Sequence, residues 1–78
     1  MTRKRAALDG SYQHLDKVVI AALQGREDVE SAATAIVATH SPEQIKAVLY
    51  DEGERYRRFS HERFRDLVER LRMRGVLW

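Results

Sequence analysis

The chain has 78 residues, no cysteine, 44% apolar and 33% charged residues, and a formal net charge of +2. That length allows one domain, expected over residues 1–78, with a core on the small side for independent folding. The composition excludes a disulfide or thiolate–metal staple and is too apolar for a disordered chain, and no apolar run nears the ~18 residues of a membrane span.

Residues 1–8 read as a basic, flexible tail, with Arg3, Lys4 and Arg5 and no apolar core of a signal peptide. The expected address is therefore the cytoplasm. A first helix is predicted from about Ser11 to Gln24, capped by Asp9 or Ser11 and ended by Gly25. Tyr12, Leu15, Val18, Val19, Ala22 and Leu23 fall on one face, and Ile20 falls off it, so this helix is expected to be buried on more than one side.

The second helix is predicted over Val29 to Thr39 behind an Asp28 cap. Its stripe is Val29, Ala32, Ala33, Ile36 and Val37, and the small alanines allow a neighbour to approach closely. The third has the clearest start: "SPEQ" offers Ser41 as cap, Pro42 at the first helical position and Gln44 three residues after the cap. Ile45, Val48, Leu49 and Tyr56 face inward if the helix runs past Gly53 to about Arg57. The fourth runs from Ser60 to Gly75 on a stripe of Phe64, Leu67, Val68 and Leu71. The "VLW" end is expected to pack against the core or a partner. The fold class is thus all-α, a compact bundle of about four short helices with a helix-turn-helix-like pair in its middle. The expected core comprises Leu15, Val19, Leu23, Ile36, Val37, Ile45, Leu49, Phe64, Leu67, Val68 and Leu71.

Catalytic signatures are missing: no Gly-rich phosphate loop, no G-x-S-x-G, no H-E-x-x-H. His14, His40 and His61 lie on separate elements and read as surface or capping residues, so no metal, cofactor or catalytic residue is expected. Asp51, Glu52 and Glu54 read as a solvated helix end.

Charge is distributed unevenly. Residues 6–54 carry three cationic side chains against nine carboxylates, whereas residues 55–78 carry eight arginines against Glu62, Asp66 and Glu69. Arginine forks onto carboxylates and phosphates better than lysine, which suits a binding face. "FRDLVERLRMRGVL" resembles the last helix and first wing strand of winged-helix regulators, over under a fifth of the chain. Its polarity argues the other way. With 100° per residue, Arg63, Arg70 and Arg74 line one flank of the apolar stripe and Arg65 and Arg72 the other, while Glu62, Asp66 and Glu69 point outward. A groove-reading helix should point its cations outward. Helix 3 has the same difficulty, because Glu43 and Glu54 share its outer face with Ala47 and Tyr50.

The expected function is therefore that of a non-catalytic adaptor or inhibitor. It docks on an acidic protein surface through Arg58, Arg63, Arg70, Arg74 and Trp78, as a homodimer or within an obligate complex, with no membrane role. The alternative is a small DNA-binding regulator using Arg3, Lys4, Arg5, Arg55, Arg57, Arg58, Arg65 and Arg72. There the aromatics Tyr56 and Phe59 interleave with arginines, though they read first as buried residues of a helix-to-helix connection.

Overall fold

A computed structural model describes residues 13–76. Five helices follow in order: α1 Gln13–Leu23, α2 Val29–Thr39, α3 Pro42–Asp51, α4 Gly53–Phe59 and α5 His61–Met73. No strand occurs among the described residues, so the all-α class holds with one helix more than expected.

Capping chemistry sets most of the boundaries. Asp28 accepts from the Ser31 amide at 3.1 Å and starts α2. Ser41 and Gln44 exchange hydrogen bonds of 3.3 and 3.0 Å in a capping box, with Pro42 at the first turn of α3. Ser60 accepts from the Arg63 amide at 3.2 Å and starts α5. Helices α1 and α5 end alike. Gly25 and Gly75 have φ of +80° and +78°, and the next residue's amide reaches back five positions, Arg26 to Ala21 and Val76 to Leu71. That is the left-handed stop in which glycine avoids a Cβ clash. The second stop also buries Val76. Leu77 and Trp78 lie outside the described residues, as do Arg3, Lys4, Arg5, Asp9, Ser11 and Tyr12.

The extra helix arises at Glu52, which leaves the helical basin with φ −108° and ψ 11°. Its amide still donates to the Val48 carbonyl, and its carbonyl accepts from Tyr56, both at 2.9 Å, so the interruption is one residue long. Gly53 has no positive φ, and the break falls just before it rather than through it.

Helices α1 and α5 each pack on α2 and α4 and also touch one another, while α3 is held by α4 and α2. Leu15, Val19, Ile36, Ile45, Tyr56, Leu67 and Leu71 fill the centre with almost no exposed surface. Val37 is a correction, being 36% exposed. The small strip of Ala32, Ala33 and Ile36 lets α1 and α5 close on α2, and Val37 falls at the strip's edge. Val68 is only partly buried and packs on the margin of the core. Ile20 is also partly buried there, in line with an α1 covered on more than one side.

Candidate functional site

Most of the arginines of α4, α5 and the α5 C-cap fall into four environments. Arg55 is half-buried and reaches toward α1. Its Nη2 donates to Asp16 of α1 at 2.5 Å and its Nε donates to Glu52 at 2.8 Å. The Tyr56 hydroxyl donates to the same Asp16 oxygen at 2.6 Å, and the Arg55 guanidinium lies 5.2 Å from the centre of the Tyr56 ring. Glu52 is only 2% exposed, which corrects its reading as part of a solvated helix end. Glu52 continues the inward stripe of α3, where Arg55 offsets the penalty of a buried charge. Tyr56 is fully buried, whereas Phe59 is 44% exposed, so the aromatic pair is split between core and surface. Burial, then the hydrogen bond to Asp16, raises the Tyr56 pKa far above its ordinary value and keeps the phenol protonated. Burial works against the charge of Arg55, but its bonds to Glu52 and Asp16 outweigh this and raise its pKa. This network ties α1 to the α3–α4 junction, and its phenol is out of reach of solvent.

The second environment is the flank expected to dock a partner. Arg70 donates to Glu30 of α2 at 2.8 Å and to Asp66 at 3.1 Å. Arg74 donates to the other Glu30 oxygen at 2.5 Å and to the Thr34 hydroxyl at 2.7 Å. Hydrogen bonds from Arg74 and then Arg70 hold the Glu30 pKa below its ordinary value, and the bond to Glu30 raises that of Arg70. Both forks are thus engaged within the chain. Arg63 lies elsewhere, over the α1–α2 turn, where a side chain added at Gly25 would meet its guanidinium at 3.3 Å. Arg58 does not extend this line either. It borders a separate shallow depression with Arg55 and Phe59, which is the third environment.

The fourth is a groove on the opposite flank of α5. One part, about 210 Å³, is lined by Lys46, Leu49, Tyr50, Arg57, Phe64, Val68 and Arg72. An adjoining part of about 220 Å³ shares Arg57, Phe64 and Val68 and adds His61 and Arg65. Its floor is apolar. Its rim carries four cationic side chains, and none of the residues lining either part is a carboxylate. Arg57 lies 5.4 Å from the centre of the Phe64 ring, a cation–π contact that positions its charge over the floor. Glu69 reaches Arg72 from outside at 3.3 Å. Tyr50 stands 71% exposed at one edge. Three members of the alternative nucleic-acid set, Arg57, Arg65 and Arg72, therefore converge here, while Arg55 does not. Sequence reasoning missed Lys46, Tyr50, His61 and the floor role of Phe64 and Val68.

Among the described residues, no group of three or more His, Asp or Glu side chains is placed to hold a metal ion, and no helix is long and apolar enough to cross a membrane. His40 has one clear electrostatic consequence. Burial, and then the charge of His14, lower its pKa from the ordinary 6.5. A lowered folded-state pKa gives stability that is present above 6.5 and lost as pH falls through the folded value. Urea midpoints should therefore decline on acidification below about pH 6.5, and His40→Gln should flatten that part of the profile. An identical slope in wild type and variant would contradict this.

No protein-family model, curated protein or solved structure matches this chain.

Proposed function

We propose that this chain is a non-catalytic docking module that captures an acidic, amphipathic segment of a protein partner in the groove between α3–α4 and α5. The observation that carries the reading is the groove's lining: an apolar floor of Leu49, Phe64 and Val68, rimmed by Lys46, Arg57, Arg65 and Arg72. An amphipathic helix recognises such a surface by laying apolar residues on the floor and carboxylates on the rim. The cations favour encounter and set orientation, while floor contacts supply affinity that salt does not screen. The partner would also supplement a small core, in keeping with an obligate complex.

Fluorescence anisotropy tests this with two probes of matched charge: a helical peptide with leucines on one face and flanking glutamates, and an oligonucleotide. The peptide should bind saturably and keep most of its affinity as salt rises. Phosphate neutralisation instead makes binding fall by orders of magnitude between about 50 and 200 mM salt when several contacts are made. Tighter binding of the oligonucleotide, with that steep dependence, would replace this reading with the nucleic-acid one.

A further inference from the structure

Three side chains with anion-binding chemistry meet at the α4–α5 junction. His61 and Arg65 are one helical turn apart on α5, so they project from the same side. Arg57 reaches that side from α4, with its guanidinium 5.4 Å from the centre of the Phe64 ring. The three share the smaller part of the groove, about 220 Å³, over a floor of Phe64 and Val68. All three are exposed. Among the described residues none of them donates to a carboxylate, whereas Arg55, Arg70, Arg72 and Arg74 each do. Two planar forks and an imidazole N–H are therefore gathered around one depression with their donors unused.

The donor set selects the anion. A side-chain carboxylate has two oxygens and one charge, and a single arginine fork satisfies it. A phosphate monoester carries about −1.5 to −2 charge at neutral pH and offers three acceptor oxygens, which matches two guanidinium groups and an imidazole. The depression is smaller than the ~300 Å³ at which ordinary small-molecule sites begin, so it suits one group of a larger ligand. What lies beyond it disfavours a track of phosphates. On its outward side Arg65 borders a second depression with Glu62, Asp66 and Glu69, which would repel a continuing polyanion. On the other side Phe64 and Val68 continue into the larger part of the groove. A single phosphate group here sits beside an apolar segment lying in that groove.

Resting on the proposed capture of an acidic, amphipathic segment, we infer that Arg57, His61 and Arg65 form a subsite for a phosphorylated side chain of that segment. The two arginines fork onto the phosphate oxygens and His61 donates an N–H, while Leu49, Phe64 and Val68 hold the segment's apolar face. Phosphorylation of the partner then switches capture from weak to tight.

The test uses the full chain and the helical peptide with leucines on one face and flanking glutamates. Phosphoserine replaces each flanking glutamate in turn, and fluorescence anisotropy at neutral pH and fixed salt gives the affinity ratio of the two forms. At one position or more, the phosphoserine form should bind at least about tenfold tighter. In Arg57→Gln and in Arg65→Gln that advantage should fall below about threefold, and His61→Ala should reduce it by a smaller factor. Arg72→Gln, outside this depression, should weaken both forms alike and leave the ratio as in wild type. Circular dichroism of the variants checks that their helices are kept. No advantage at any position, with the glutamate peptide still bound, would overturn this inference alone. No binding of either form would overturn the capture on which it rests as well. An advantage that survives Arg65→Gln would also sink it. So would a hydroxyl-ended oligonucleotide that binds as tightly as the phosphoserine peptide, since the site would then be one for phosphodiesters.

Discussion

Replacing Leu67 with alanine should destabilise the fold by about 2–5 kcal/mol, the usual range for a buried leucine whose cavity closes incompletely. Leu67 is fully buried, on a helix that packs on α1, α2 and α4 at once. Domains of this kind have only about 5–15 kcal/mol in total. Each kcal/mol moves the melting temperature of a domain this size by about 4–8 °C, so the change is large in a thermal scan. Val37→Ala is the matched control. The sequence places both residues in the core, but Val37 is partly exposed and should lose under about 1 kcal/mol. Equal effects of the two changes would mean that α5 does not centre the core.

Asp16→Ala should produce the next largest loss. It removes the oxygen that accepts from both Arg55 and Tyr56. Arg55 keeps Glu52 and some access to water, but the buried Tyr56 hydroxyl loses its acceptor. A buried donor left without its acceptor costs about 1–3 kcal/mol. Tyr56→Phe removes the donor instead and should cost about 0.5–1.5 kcal/mol. Adding Tyr56→Phe to Asp16→Ala should therefore restore part of the loss, since the orphaned group is gone. Urea unfolding of the two single variants and the double variant measures this coupling. Additive losses would show that the contact does not hold α1 to α4.

The helix boundaries were legible because local chemistry decides them. Asp28, Ser41 and Ser60 act as caps, and Gly25 and Gly75 end helices, whatever the rest of the chain does. The inward role of Glu52 was harder to read. The stripe Ile45, Val48 and Leu49, continued at helical period, lands on Glu52 and Tyr56, so the position was visible. The charge concealed it: its partner Arg55 is only three residues on, but that guanidinium is held inward by Asp16 of α1, which it meets only in the folded chain. Val37 was misplaced for a related reason. Periodicity gives the direction of a face, but not how narrow the contact becomes when alanines line it.

The arginine flanks illustrate the same limit. Their lines along α5 follow from spacing, as do the pairs Asp66–Arg70 and Glu69–Arg72. Which flank meets Glu30 depends on the packing of α2 against α5, which no local pattern encodes. One signal for the groove was available. Arg57, His61, Arg65, Val68 and Arg72 recur at intervals of three and four residues, and the run continues across the cap at Ser60.

A comparison of the two flanks tests the proposed function most directly. Arg57→Glu with Arg72→Glu reverses two charges on the groove rim; Arg70→Gln with Arg74→Gln neutralises two on the opposite side. Both pairs should leave folding nearly intact, since water-exposed ion pairs contribute little to stability and the Arg57–Phe64 contact is worth about 0.5–1 kcal/mol. The measurement is the affinity of each double variant for the acidic amphipathic peptide. The groove variant should bind at least about tenfold more weakly, a change of 1.4 kcal/mol or more, and the opposite variant should match wild type. Native affinity in the groove variant, with loss in the Arg70 and Arg74 variant, would contradict the proposal and return the docking surface to the flank that Glu30 occupies.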